Sequence, residues 1–176
     1  MENPMRENEH DHTAKPTAEH IKEHHKNEWR LYVDGASRNN PGPSGAGIVL
    51  MKNGKTELKK GFFLGTKTNN EAEYLAVLLG IFFLKQHMHA HDAVIIISDS
   101  QLLIRQFKGE YRVKKPELQQ LYNLAMKLLH QIQYECYHVL RQDNEAADEM
   151  ANYGIDKKIQ IPPAFIEIAR DHGLSL

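Results

Sequence analysis

Four of the chain's 23 acidic residues stand in distinctive surroundings: Asp34 in LYVDGASRNNPGPSGAG, Glu73 in TKTNNEAEYLAV, Asp99 in VIIISDSQLL and Asp148 in DNEAADEMAN. Carboxylates that are far apart in sequence but gathered by a fold make a set of hard oxygen donors suited to hard divalent cations. Without a cation such a set repels itself. Each residue also has an ordinary explanation. Asp34-Gly35 reads as a turn, Asp99 as a helix cap, Glu73 as the end of a capping box begun by Asn70, and Asp148 as an exposed helical carboxylate. Their joint occurrence favours a metal site. Asp34 and Asp99 end apolar runs where α/β sheets place ligands, and Glu73 opens a helix that would bring a third carboxylate to the same rim.

The elements that must position these residues are legible from Glu28 onward. WRLYVD alternates as a half-buried strand, NNPGPSG supplies a reversing turn, and AGIVLM and TELKKGFFL follow as two further strands around NGK. Tight turns between the three imply an antiparallel meander. From about Asn70 to His87 the period becomes helical, with Ala72, Leu75, Ala76, Leu79, Phe82 and Phe83 on one face. AVIIIS is a wholly apolar run suited to a central strand covered on both sides. SQLLIRQF, PELQQLYNLAMKLLHQI and NEAADEMANYG read as helices and YECYHVL as a fifth strand. The order βββ-α-β-α-α-β-α predicts an α/β fold with a five-stranded mixed sheet, three antiparallel strands followed by parallel additions, flanked by helices.

Length and charge set the limits. With 176 residues, 41% hydrophobic, the chain suffices for one core. No run reaches the roughly 18 apolar residues of a membrane helix, and no signal peptide is evident, so a cytoplasmic protein with no membrane partner is expected. Cys136 is alone, which excludes a disulfide framework or a cysteine zinc site. Residues 1–30 hold five Lys/Arg against seven Asp/Glu and include His10, His12, His20, His24 and His25. Residues 1–27 are expected to be a flexible His-rich arm, 28–156 the catalytic domain and 157–176 a C-terminal extension. Neutralising four carboxylates would leave the remainder mildly basic, which suits a polyanion.

Taken together, YVDGASRNNPGPSGAG, TNNEAEY, SDSQLLIRQ and DNEAADEMAN resemble, in order and spacing, the motifs of type 1 ribonuclease H over approximately residues 30–155. The resemblance implies the ribonuclease H-like fold and endonucleolytic cleavage of the RNA strand in RNA–DNA hybrids, giving 5′-phosphate and 3′-hydroxyl ends. It implies two Mg²⁺ or Mn²⁺ ions on Asp34, Glu73, Asp99 and Asp148; a monomer without organic cofactor is expected beside it. It assigns Asn40, Asn70 and Gln101 to the hybrid's minor groove and Thr68 to a DNA phosphate. Two departures matter. The long basic protrusion is replaced by the short FKGEYRVKKPE, and the histidine that precedes the last Asp in many members has no obvious counterpart. Arg141, expected to contact phosphate, and Gln142 stand there instead, while His138 reads as a packed or edge residue. The rival reading is a non-catalytic nucleic-acid-binding module on the same fold, disfavoured because all four carboxylates are present.

Overall fold

The computed structural model describes residues 27–176. The His-rich arm lies almost wholly outside them. Strand β1 (Glu28–Ser37) pairs antiparallel with β2 (Gly42–Lys52), and β2 with β3 (Lys55–Lys67), as the turn chemistry predicts. Helix α1 (Asn69–His87) then crosses to β4 (Ala93–Ser98), which lies parallel to β1 on its other side. After α2 (Gln101–Phe107) and α3 (Pro116–Leu128), β5 (Gln133–His138) adds in parallel to β4, giving the order β3-β2-β1-β4-β5. A 3₁₀ turn (Arg141–Asp143), α4 (Glu145–Lys157) and α5 (Pro163–Asp171) complete the chain.

Helix α1 departs from the one-faced helix the periodicity predicts. Tyr74, Val77, Leu78, Ile81 and Leu84 are buried along with Ala72, Leu75, Ala76 and Leu79, whereas Phe82 is only partly covered. The cause is that α1 packs against β1 and β2 on one side and α3 on the other. A helix apolar all round belongs in a core. Its N-terminus is also capped two residues earlier than expected. Thr68 is the N-cap and forms the capping box with Glu71, not Asn70 with Glu73. Glu73 is thereby released from backbone duty.

Helix α4 covers the opposite face of the meander. Alternate residues of a strand face opposite ways, and Gly45, Gly47 and Gly61 all face α4. A Cβ on Gly47 would lie 1.9 Å from the Ala147 carbonyl oxygen. The missing side chains let α4 lie directly on the sheet.

The segment after α4 is packed rather than trailing. Phe165 is fully buried and meets Phe82 edge-on, with ring centroids 5.6 Å apart. The Phe63 N–H donates to the Ile159 carbonyl at 2.7 Å, tying this segment to β3. No periodic signal in IQIPPAFIEIARD is long enough to announce α5, whose apolar side is defined by the groove it fills.

Candidate active site

Parallel pairing of β1 with β4 ends at Tyr32–Ile97. Asp34 and Asp99 each lie two residues beyond that pair, so the strand ends place the two carboxylates at one rim. Asp34 does not itself end a strand, as the sequence suggests: β1 continues to Ser37 alongside β2. What ends there is the parallel half of the sheet, and that divergence opens the crevice.

Glu73 reaches the rim because Gly35 has no side chain. A Cβ at Gly35 would fall 2.1 Å from the Glu73 backbone nitrogen and 2.3 Å from the Ala72 carbonyl carbon, so α1 seats its first turn directly on β1. Gly35→Ala is therefore expected to cost about 3 kcal/mol or more, since backbone rather than a flexible side chain must yield. Thermal melting of the purified variant checks this. Asp148 arrives from the first turn of α4, held low on the sheet by the glycine contacts above.

All four carboxylates line one cavity of about 390 Å³, together with Ser37, Arg38, Asn69, Arg141 and Asn152. Among the described residues, no three acidic, His or Cys side chains converge tightly enough to enclose an ion as they stand. Their partners explain the open arrangement. Asp148 accepts from Arg141 at 3.2 Å, Asp99 accepts from the Asn144 amide at 2.7 Å, and Glu73 keeps one buried oxygen, Oε2, with no hydrogen-bond partner.

The electrostatics fit that picture. Burial, then the charges of Asp99 and Asp148, push the Asp34 carboxyl up to about 7, with Arg141 opposing. Burial and the neighbouring Asp34 and Asp99 push Glu73 up to about 8, with the Ser100 hydroxyl opposing. An orphaned carboxylate oxygen and two acids resisting ionisation are what a cation would relieve. The donors are all oxygen, so the residues present fit Mg²⁺ or Mn²⁺.

Residues 32–154 match the family described as reverse transcriptase-like. Over 127 residues the chain is 35% identical to ribonuclease HI of Halobacterium salinarum, spanning 71% of this chain and 63% of that protein. It is 34% identical to a ribonuclease H of Coxiella burnetii, spanning 74% of this chain and 91% of that one. The structure of LC11-RNase H1 in complex with an RNA/DNA hybrid superposes with a TM-score of 0.71 at 32% identity, covering 73% of this chain and 97% of that one. This chain belongs to the ribonuclease H family. It spans less than two thirds of the length of the first curated relatives it matches, 63% in one case and 39% in others.

In this ribonuclease H-family chain the predicted substrate contacts surround the cavity without all lining it. Asn40 accepts the Asn69 N–H at 2.9 Å, so its side chain fixes the turn against α1. Thr68 is engaged by Glu71 through both its N–H and its hydroxyl. Gln101 is exposed at the start of α2 and Arg141 extends over the cavity mouth with 79% of its side chain exposed. Asn70 lines a neighbouring groove of about 470 Å³ with Leu102, Tyr111, Arg112, Lys114 and Lys115. Tyr111 is held there by Arg105, which stacks 5.0 Å from its ring and donates to its hydroxyl at 2.6 Å.

Lys108 does not join that groove. It lies over the Tyr137 ring beside β5, in a separate depression. The short basic segment is thus two surfaces, which linear sequence does not distinguish. Neutralising Arg112, Lys114 and Lys115 is expected to raise KM for a hybrid and flatten its salt dependence by about 0.9 per lost phosphate contact, with Lys108→Ala far less effective. Steady-state kinetics at several salt concentrations measure both.

Sequence reasoning missed Arg38, Asn69, Asn144 and Asn152. Arg38 lines the cavity and is tethered at 2.7 Å to Asp156. Asn152 donates to the Asp148 carbonyl oxygen at 3.0 Å. The recoverable signal was spacing: Asn144 and Asn152 lie four residues either side of Asp148 on one helical face. His138 is an edge residue as expected, and its Nε2 lies 3.1 Å from the Asp99 carbonyl oxygen.

Proposed function

We propose that this chain is an endoribonuclease that hydrolyses the RNA strand of RNA–DNA hybrids with two divalent ions, leaving 5′-phosphate and 3′-hydroxyl ends. The observation that carries the reading is the convergence of Asp34, Glu73, Asp99 and Asp148 on one cavity at the divergence of β1 and β4. The hybrid complex of LC11-RNase H1 supports the substrate class.

Asp34, Glu73, Asp99 and Asp148 would hold Mg²⁺ or Mn²⁺. When bound, these ions supply Lewis acidity to the attacking water and the departing ribose 3′ oxygen. The protein's part is position. Asp34 would serve both ions, with Glu73 and Asp99 serving one of them and Asp148 the other. Arg141 and Arg38 add positive charge at the mouth, where phosphate enters, and a guanidinium matches phosphate oxygens in pairs. Asn40, Thr68, Asn70 and Gln101 line the approach for the minor groove and DNA backbone, and the 2′-hydroxyl is the feature by which RNA is told from DNA. The four residues serve best as a rigid rim, since Asn40 and Thr68 already hold α1 in place.

Among the described residues no helix is long and apolar enough to cross a membrane. Burial pushes the single Cys136 thiol up to about 12, which makes it a packing group rather than a reactive one. A monomer in the cytoplasm, without organic cofactor, is part of the proposal.

A labelled RNA–DNA hybrid incubated with Mg²⁺, Mn²⁺ or chelator tests it. Metal-dependent 5′-phosphate fragments from the RNA strand alone are expected. Tight hybrid binding with no cleavage under any metal would favour the non-catalytic module instead.

A further inference from the structure

Asn144 occupies the N-cap of α4 yet makes no capping hydrogen bond with its side chain. Asn at this position ordinarily accepts from a backbone N–H in the first turn. Here the side chain turns away from its own helix. It is 1% exposed, and its Nδ2 donates to the Val33 carbonyl at 3.0 Å and to Asp99 Oδ1 at 2.7 Å. Both partners are acceptors, so the amide orientation follows from the contacts. Its own Oδ1 is buried with no partner. An arrangement that strands a buried acceptor and forgoes a cap is costly by itself. What it gains is geometry at the carboxylates.

Three of the four acids meet at this residue. The Val33 carbonyl is on the residue before Asp34, Asp99 is bound directly, and the Asp148 N–H donates to the Asn144 carbonyl at 3.1 Å. Among the hydrogen bonds described, no other residue links strand β1, the end of β4 and the first turn of α4, the first two through its side chain and the third through its backbone carbonyl. We propose that Asn144 is a positioning residue that fixes the spacing of Asp34, Asp99 and Asp148, and so sets the affinity of the site for divalent ions. An amide suits the task where a carboxylate would not, because it supplies two donors and adds no charge. The inference rests on the metal reading above.

Groups that orient metal ligands typically change metal affinity by about 10–100-fold when removed. Calorimetric titration of the protein with Mn²⁺, without nucleic acid, should show that weakening in Asn144→Ala, and a smaller one in Asn144→Ser, which keeps one donor. On hybrid, kcat at limiting Mn²⁺ should fall in parallel and recover as Mn²⁺ is raised, while KM for the hybrid stays unchanged. A residue that merely stabilised the fold would lower the melting temperature and leave the Mn²⁺ affinity of the folded protein intact.

A second measurement needs no variant. In the wild-type chain labelled with ¹⁵N-asparagine, the Asn144 side-chain amide should shift on addition of Mg²⁺. Wild-type Mn²⁺ affinity in a folded Asn144→Ala or Asn144→Ser, or an Asn144 amide indifferent to saturating Mg²⁺, would overturn the inference. Absence of Mn²⁺ binding by the wild-type protein would instead overturn the metal reading on which it rests.

Discussion

Asp34→Asn and Asp99→Asn are each expected to lower the rate of hybrid cleavage by at least about 10³-fold, a loss of about 4 kcal/mol of transition-state stabilisation. The carboxamide keeps the size of the side chain and removes the charge that would hold the ions. Asp34 interacts with the charges of Glu73, Asp99 and Asp148, and it is only 7% exposed, so little water can substitute for it. Asp99 is oriented from two sides, by Asn144 at its carboxylate and by His138 at its carbonyl. Asp148→Asn should be milder. Its side chain is 31% exposed and its pairing with Arg141 is a surface contact, worth about 0–1 kcal/mol. Single-turnover cleavage at saturating Mg²⁺, with circular dichroism to verify the fold, measures all three. Turnover near the wild-type rate in either Asp34→Asn or Asp99→Asn would remove the carboxylates from the chemistry.

The carboxylates were legible because each sits at an abrupt change of pattern: Asp99 where AVIIIS stops, Glu73 where alternation gives way to the helical period. The antiparallel meander and its parallel additions were legible for the same reason, since tight turns force β1, β2 and β3 to be neighbours and only a helical crossover can deliver β4 in parallel. What sequence could not convey was depth. Nothing local in NNEAEYLAVLLGIFFLKQH says that α3 will cover its second side, so its burial on all sides came as a surplus of apolar residues without a stated partner. Gly35 was read as a turn former and Gly47 as an ordinary strand residue, whereas both act by letting a helix backbone touch a strand. Asn144 was hidden by its own ordinariness. An Asn ahead of a helix reads as a cap, and only its contacts with Val33 and Asp99 reveal that it is occupied elsewhere.

Metal removal should turn the site from a source of stability into a liability that grows with pH. Asp34 and Glu73 have folded-state values of about 7 and about 8, against ordinary values of 3.8 and 4.5. A carboxyl whose value is raised by folding binds more protons in the folded than in the unfolded state between those two limits, so stability falls as pH rises. The full stability is present below about pH 4 and the loss is complete above about pH 8. Three units correspond to about 4 kcal/mol. Because Asp34 and Glu73 repel each other, part of the cost is shared, and about 4 kcal/mol for the pair is the expected scale. In chelator, Glu73→Gln should therefore melt at a higher temperature than the wild type at pH 8 and at the same temperature near pH 4. Added Mg²⁺ should reverse the order at pH 8, because an ion that binds only the folded wild-type site raises its stability by mass action. Melting curves for the two proteins across this range, with and without Mg²⁺, decide the matter: parallel curves in chelator would mean that Glu73 is not under strain, and equal stabilisation by Mg²⁺ would mean that it does not hold the ion.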